Sequence, residues 1–184
     1  DPGHGVVERY NVASSDSLMN SDWITRLYVD SGNRVWVGTW KGALSLIDRS
    51  AGVFQVWTNK ELQLTVPHFS PFSLVEESRD VFWLGLWEGG LVKFRLEGDS
   101  LRLDRHYMPD SGKVPGDVVY DLKLDKGGDL WIGSPFGLGL LDDPNGARPT
   151  LHVFKSDRGF TRLADDEAYA LLVDASGLLW VGSS

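Results

Sequence analysis

The stretch Asp125-Lys126-Gly127-Gly128-Asp129-Leu130-Trp131-Ile132-Gly133 contains the pattern that decides the fold of this chain. Its last three residues, a Trp, an aliphatic residue and a Gly, form a tripeptide that occurs four times, at intervals of 47, 48 and 49 residues. An acidic residue stands six positions before each Trp, and a leucine stands nine positions before it. Four copies at one period indicate a repeated supersecondary unit. The tripeptides are Trp36-Val37-Gly38, Trp83-Leu84-Gly85, Trp131-Ile132-Gly133 and Trp180-Val181-Gly182.

Each unit is predicted to contain four short strands. In the first unit, β-branched and apolar runs at 24–29, 34–39, 43–47 and 53–58 alternate with turns rich in Gly, Asp and Asn. No stretch of ten residues has a convincing helical period of 3.6. Four antiparallel strands in 40–50 residues are typical of a β-propeller blade. The sequence therefore predicts an all-β fold, a β-propeller of four-stranded antiparallel blades.

The arrangement of the units predicts an incomplete propeller segment of about 3.75 blades, within a single domain over residues 1–184. The first strands of the second and third units are expected at 72–76 and 118–124. The last unit reaches only its second strand. The predicted division is a lone outer strand at 6–12, blades at 24–58, 72–107 and 118–155, and a partial blade at 168–184.

The repeated tripeptide has a structural interpretation. A Trp on the second strand of each blade is expected to pack its ring between neighbouring blades, where indole burial contributes strongly to stability. The Gly two positions later is expected to let the next blade approach closely. The residues assigned to this structural role are Trp36, Trp83, Trp131, Trp180, Gly38, Gly85, Gly133 and Gly182.

Composition excludes several classes of function. The 184 residues carry a formal net charge of −8, which is unfavourable for binding a phosphate backbone, so no nucleic-acid partner is expected. The absence of cysteine excludes disulfides, thiolate metal sites and cysteine nucleophiles. The longest apolar runs have six residues, whereas a membrane span needs about 20, so membrane contact is expected only through parts outside this chain.

Two sets of residues are candidates for ligand binding at the loops of one propeller face. Trp40, Trp87 and Phe136 follow the repeat Trp by four or five residues, and exposed rings there would suit the apolar face of a sugar; packing on the adjacent blade is the alternative. Asp22, Asp117 and Asp166 each stand fourteen residues before a repeat Trp, where the innermost strands begin. They could hold a cation or sugar hydroxyls, or they could cap turns by accepting backbone N–H bonds.

Catalytic motifs are not supported by their context. The tetrapeptide Gly98-Asp99-Ser100-Leu101 lies in a hairpin turn rather than on a strand-to-helix elbow, so it is not assigned as a nucleophile motif. The four histidines lack the spacing of metal ligands. We therefore expect no catalytic residue, metal or cofactor in this segment.

The segment 125–138 resembles the two-component regulator propeller repeat, and residues 174–182 and 83–91 match parts of the same pattern. In that family the repeats build the periplasmic sensor of bacterial membrane-bound regulators, ahead of one membrane helix and a histidine kinase or a diguanylate cyclase (GGDEF) output domain. The resemblance implies a non-catalytic, extracytoplasmic ligand-sensing module. Implied partners are an oligosaccharide or other small molecule, the rest of the propeller, downstream signalling domains and a second copy in a homodimer. The alternatives are a carbohydrate-active enzyme or lectin on a propeller scaffold, or a scaffold for protein interactions.

Overall fold

The computed structural model describes residues 20–48, 53–66, 68–156 and 165–183, and these residues form a succession of antiparallel sheets. Three four-stranded sheets, each with its strands in sequential order, are followed by a two-stranded sheet. This confirms the predicted all-β fold of four-stranded blades, whereas the predicted strand at 6–12 lies outside the described residues. The sheets contain β1 (Ile24–Val29), β2 (Val35–Thr39), β3 (Ala43–Asp48) and β4 (Val53–Trp57); β5 (Ser70–Ser78), β6 (Val81–Trp87), β7 (Leu91–Glu97) and β8 (Ser100–Tyr107); β9 (Asp121–Leu124), β10 (Leu130–Ser134), β11 (Gly137–Asp142) and β12 (Thr150–Phe154); and β13 (Ala170–Val173) and β14 (Leu179–Gly182).

Helical structure in the described part of the chain is limited to a short 3-10 turn at Pro109–Ser111. None of the described residues belongs to a helix that is both long and apolar enough to cross a bilayer.

Some strand boundaries differ from the prediction because the residues before an inner strand bond to the preceding sheet. The first strand of the third sheet begins at Asp121 rather than at 118, since the Val119 N–H donates to the Leu86 carbonyl at 3.1 Å. The same happens one repeat later, where the Ala168 N–H donates to the Ser134 carbonyl at 2.9 Å and β13 begins at Ala170. These backbone bonds tie the third sheet to the second and the fourth sheet to the third.

The first strand of each sheet is the innermost one, because β1, β5, β9 and β13 contact one another in that order. A hydrophobic cluster fills each space between consecutive sheets. The largest, between the first two sheets, is built around Trp36, Phe82 and Phe94, which are all fully buried. The core is therefore distributed over the interfaces between sheets.

The repeat tryptophans differ in their burial. Trp36 and Trp83 are fully buried and pack against the following sheet, and Trp131 is half-buried beside Leu171. Trp180 departs from the expected packing, since it is 59% exposed on the two-stranded sheet. An indole reaches full burial only where a following sheet covers it.

Three of the four tripeptide glycines lie close to the following sheet, whereas the predicted close approach is not found at Gly182, where an added Cβ would lie 3.5 Å from Ala170 of the same sheet. A Cβ added at Gly38 would lie 2.8 Å from the carbonyl oxygen of Pro71, and one at Gly133 would lie 2.6 Å from that of Ala168. At Gly85 it would collide with Ser73 and Val119. A side chain at these positions would push the next sheet away.

Asp121 joins three of the inner strands. It stands at the start of β9 and is buried, and its Oδ2 accepts the Leu171 N–H of β13 at 2.9 Å. Its Oδ1 pairs with the Arg26 guanidinium of β1 at 3.3 Å and with the Lys123 ammonium at 3.1 Å. One carboxylate thus crosslinks the first, third and fourth sheets near the centre of the molecule.

Candidate ligand-binding site

Aromatic side chains gather at the edge of the molecule where the first strand of each sheet begins and the second strand ends. Trp40 lies in the β2–β3 turn, and Trp87 ends β6. Phe72 lies near the start of β5, while Trp23, Tyr120 and Tyr169 directly precede β1, β9 and β13. Because the strands of each hairpin are antiparallel, all these positions fall at the same edge.

These six rings form a continuous line, which we call the aromatic row. Successive ring centroids are 5.6 Å apart for Trp23 and Trp40, 5.5 Å for Trp40 and Trp87, and 6.3 Å for Trp87 and Tyr120. The row ends in the stacked pair Tyr120 and Tyr169, at 4.8 Å. It therefore crosses all four sheets. Its members are Trp23, Trp40, Phe72, Trp87, Tyr120 and Tyr169.

Three rings in the middle of the row, those of Trp40, Phe72 and Trp87, form what we call the platform, which is a surface rather than a cage. Phe72 lies 5.8 Å from Trp40 and 5.2 Å from Trp87, between ring centroids, so the three rings touch one another. Rings in mutual contact leave no space between them for a cation, unlike the aromatic cages that bind quaternary ammonium groups. Trp40 remains 38% exposed. The platform therefore offers a broad apolar surface to a ligand with a flat apolar face.

A polar cavity of about 210 Å³ adjoins the platform and is lined by Trp40, His68, Ser70, Trp87 and Glu88. Nε2 of His68 lies 3.6 Å from Oε2 of Glu88. The Ser70 hydroxyl donates to the Trp40 carbonyl at 2.7 Å, which fixes the turn that presents the indole. A second cavity of about 480 Å³ shares Trp40, His68 and Ser70 with the first and extends along Lys41 and Asn59. Apolar rings beside a few convergent polar groups are the usual composition of a small-molecule site.

The tyrosine end of the row also carries a carboxylate. The Tyr169 hydroxyl donates to the Glu167 carboxylate. This bond favours the protonated phenol, so it raises the pKa of Tyr169 to about 12. Burial, together with the Glu167 charge, raises the pKa of Tyr120. Both phenols are therefore hydrogen-bonding groups in their neutral form at neutral pH.

The first predicted set of ligand residues is divided by the structure. Trp40 and Trp87 come together in the row, with their ring centroids 5.5 Å apart. Phe136 lies at the same edge, in the β10–β11 turn, and is 47% exposed. Its ring lies directly against Gly116, where a side chain would collide with it, and it forms no ring pair within the described residues.

The predicted aspartates all precede inner strands, as expected from their spacing. Asp22 and Asp117 are exposed. Asp166 accepts the Ser156 N–H at 2.6 Å, and the side-chain and backbone contacts with Ser156 lower the pKa of the Asp166 carboxyl. This bond joins residues ten positions apart, so it links the two ends of the connection between β12 and β13. The described residues contain no group of three His, Asp or Glu side chains placed to hold a metal ion.

Several residues of the site were missed in the sequence. Phe72, Tyr120 and Tyr169 each stand eleven positions before a repeat Trp, so an aromatic at this offset was available as a signal. Trp23 stands at a different offset, thirteen positions before Trp36. His68 lies in the loop before β5, Ser70 begins β5 and Glu88 directly follows β6, and only the folded chain brings the three together beside the platform.

Comparison with known proteins supports the repeat and the fold. The two component regulator propeller model matches residues 17–41 and confirms the resemblance seen in the sequence. Comparison with curated proteins gave no match. The extracellular domain of BT4673 from B. thetaiotaomicron, assigned as a hybrid two component system, superposes with a TM-score of 0.67 at 21% identity, over 90% of this chain and 21% of that one. The extracellular domain of BT3049, from the same organism and with the same assignment, gives 0.62 at 18% identity, over 95% of this chain and 27% of that one.

An enzyme shares the same architecture. Virginiamycin B lyase from Staphylococcus aureus superposes with a TM-score of 0.60 at 16% identity, over 86% of this chain and 48% of that one. At these identities the likeness concerns the fold alone, and the chain spans about a fifth of the length of the BT4673 extracellular domain. The chain therefore contains a two component regulator propeller repeat, and it has the blade architecture of these propeller domains.

Proposed function

We propose that this chain is part of an extracytoplasmic sensor of a bacterial membrane-bound regulator and binds an oligosaccharide on the aromatic row. The observation that carries the proposal is the contiguous platform of Trp40, Phe72 and Trp87 beside a polar cavity. Pyranose rings have one face made mainly of C–H groups, which stacks on aromatic rings, while hydroxyls at the ring edge need polar partners. The platform and the cavity supply both kinds of contact.

The length of the row favours an oligosaccharide over a single sugar. The rings extend from Trp23 through the platform to Tyr169, across four sheets. Exposed apolar surface of this extent is a feature of interaction sites. Stacking and hydrogen bonding are the interactions that the row offers, so we propose binding without turnover. Binding would shift the populations of two states of the parent protein and so alter its output domain.

Calorimetric titration with neutral β-1,4-linked oligosaccharides of glucose, mannose and xylose tests the binding proposal. The Trp40→Ala and Trp87→Ala variants are expected to weaken binding at least tenfold, because each removes a stacking ring. Trp180→Ala is the matched control, since Trp180 is also exposed but lies outside the row. Equal binding by all three variants, or no binding by the unaltered chain, would contradict the proposal. Release of reducing ends would contradict the non-catalytic part.

The sensor assignment rests on the repeat match and on the extracellular domains that share the fold. Sequencing the parent gene through both ends of this segment tests it. Further Trp-containing blades, then one apolar helix and a histidine kinase or diguanylate cyclase domain, are expected. A reading frame that contains an export signal and a closed propeller alone would contradict the regulator assignment.

A further inference from the structure

We infer that the aromatic row selects uncharged glycans and rejects acidic ones such as uronates, because a carboxylate stands at each of its two halves. This inference rests on the proposed function and names the charge class of its ligand. Glu88 lines the same cavity as Trp40 and Trp87. Glu167 is bonded to Tyr169, at the tyrosine end of the row. A glycan lying along the row therefore meets one carboxylate beside the platform and a second beside Tyr169.

The position of Glu88 is fixed by its turn. Glu88 has a positive φ of 56° directly after β6, and the Gly90 that follows it has a φ of 72°. Leu86 donates its backbone N–H to the Gly90 carbonyl at 3.0 Å, which closes the turn. Nε2 of His68 lies 3.6 Å from the Glu88 carboxylate on the cavity side. The carboxylate is thus held at the mouth of the cavity.

The loops around the row reinforce this charge. Among the described residues, the loops at the edge of the sheets where the row lies carry eight Asp and Glu residues, four Lys and no Arg. Like charges brought together at a binding surface supply the repulsive element that specificity requires. The acidic residues are Asp22, Glu61, Glu88, Asp110, Asp117, Asp165, Asp166 and Glu167, and the lysines are Lys41, Lys60, Lys113 and Lys155.

Three hexasaccharides with one β-1,4-glucan backbone provide a matched test: cellohexaose is neutral, its glucuronate counterpart is anionic and its glucosamine counterpart is cationic. Calorimetry at low ionic strength is expected to show glucuronate binding at least tenfold weaker than cellohexaose binding. Glu88→Gln should raise the ratio of glucuronate to cellohexaose affinity at least threefold. Glu97→Gln is the control, because Glu97 is a half-exposed glutamate at the opposite end of β7. Glucuronate binding as tight as cellohexaose binding would overturn the inference and leave the proposed function standing.

A second measurement tests the charge of the row without any glycan. Iodide and caesium quench exposed tryptophans by collision, and their efficiencies report the sign of the local potential. Glu88→Gln is expected to increase iodide quenching and to decrease caesium quenching, while Glu97→Gln and the neutral quencher acrylamide show no such change. Unchanged quenching in Glu88→Gln would overturn the inference even if cellohexaose binds. Failure of all glycans to bind, with the expected quenching, would contradict the proposed function and the selection drawn from it.

Discussion

The Asp30 carboxylate accepts the indole N–H of Trp36 through Oδ2 at 2.8 Å, and this six-residue relationship recurs in three of the four repeats. Oδ1 of the same carboxylate accepts the backbone N–H groups of Gly32 and Arg34, both at 2.9 Å, and so closes the β1–β2 turn. Glu77 and Trp83 form the equivalent bond at 2.9 Å. Asp174 and Trp180 also form it at 2.9 Å. At Asp30 and Asp174 the acid therefore couples the shape of the turn to the orientation of the indole.

We expect Asp30→Ala to be strongly destabilising. It would leave the buried Trp36 N–H and the turn amides without their acceptor and would remove one of the two carboxylates that pair with Arg34, whose Nε lies 2.7 Å from Asp30. Loss of such an acceptor and ion pair costs about 3 kcal/mol. Urea unfolding followed by tryptophan fluorescence measures the free energy of unfolding.

Asp174→Ala is the matched control for this prediction. Asp174 makes the same turn and indole bonds, but its Trp180 partner is 59% exposed, so water can replace the lost acceptor. The loss of unfolding free energy in Asp174→Ala should be clearly smaller than that in Asp30→Ala. Equal losses of unfolding free energy in the two variants would show that burial of the indole does not determine how much the bond between acid and indole stabilises the fold.

The contribution of Asp30 should also depend on pH. Burial by itself would raise the pKa of its carboxyl, but the bonds from Trp36 and Arg34 outweigh burial and hold this pKa below the ordinary value of 3.8. A lowered folded-state pKa means that the contribution is fully present above the unfolded pKa and is lost as pH falls through the folded one. The difference in unfolding free energy between the unaltered chain and Asp30→Asn should therefore be constant from pH 7 to 5 and shrink below pH 4. A difference that grows on acidification would contradict this.

Gly38→Ala should destabilise the contact between the first two sheets. The added Cβ would lie 2.8 Å from the carbonyl oxygen of Pro71, and backbone cannot give way as a flexible side chain can. Overpacking of this kind costs about 1–3 kcal/mol. At Gly182 the nearest atom would be the Ala170 Cβ at 3.5 Å, an ordinary contact. Thermal unfolding should thus show a lower Tm for Gly38→Ala and an unchanged or slightly higher Tm for Gly182→Ala; a reversed order would contradict the close-approach explanation.

Asp121→Ala should loosen the attachment of the fourth sheet. The variant would lose the acceptor for the Leu171 N–H and leave Arg26 and Lys123 without their shared partner. We expect faster hydrogen exchange at the Leu171 amide and a loss of about 2–4 kcal/mol in stability. Asp142→Ala is the control, because the exposed Asp142–His152 pair should contribute only about 0–1 kcal/mol. Unchanged exchange at Leu171 would contradict the crosslinking role.

The Tyr169 phenol should ionise at a higher pH than an ordinary tyrosine, because its hydrogen bond to Glu167 raises the pKa of the phenol to about 12. Since the folded-state pKa lies above the ordinary value of 10.0, the associated stabilisation is present below pH 10 and is lost as pH rises through the folded pKa. Absorbance near 295 nm follows phenolate formation. Glu167→Gln should lower the pH at which Tyr169 ionises and, because the Glu167 charge also raises the pKa of Tyr120, the pH at which Tyr120 ionises, whereas Glu97→Gln should change neither. A tyrosine titration unaltered by Glu167→Gln would contradict the assignment.

The sequence predicted the fold well, because the repeat combines a pattern of period two with fixed turn chemistry. The spacing of Trp36, Trp83, Trp131 and Trp180 placed the second strand of every sheet. It placed the start of the inner strands less well. Val119 and Ala168 belong to apolar runs that fit a strand, but their N–H groups bond to the preceding sheet. Such bonds depend on how sheets dock, which a local pattern does not encode.

The candidate site was only partly predictable. Trp40 and Trp87 stand four positions after the repeat Trp, so sequence reasoning found them, whereas Phe136 stands five positions after it and lies against Gly116. Similar spacing places all three residues at a common edge of the sheet and leaves the ring direction open, since that depends on the exact offset and on the loop beside it. The loop that carries His68 shows no repeat and could not be aligned. Glu88 stands at an aligned position, but its counterparts there are Lys41 and Phe136, so no repeated residue type marks it.

The sequence by itself determined the repeated strands, the acid-to-Trp turn and the edge at which the aromatic residues lie, because these follow from short-range hydrogen bonding and strand alternation. Only the tertiary structure decided that six rings join into one row, that Glu88 and Glu167 stand beside it, and that Trp36 is buried while Trp180 is exposed. These features depend on the docking of one sheet on the next, which brings together residues that are some 30 to 50 positions apart in the chain.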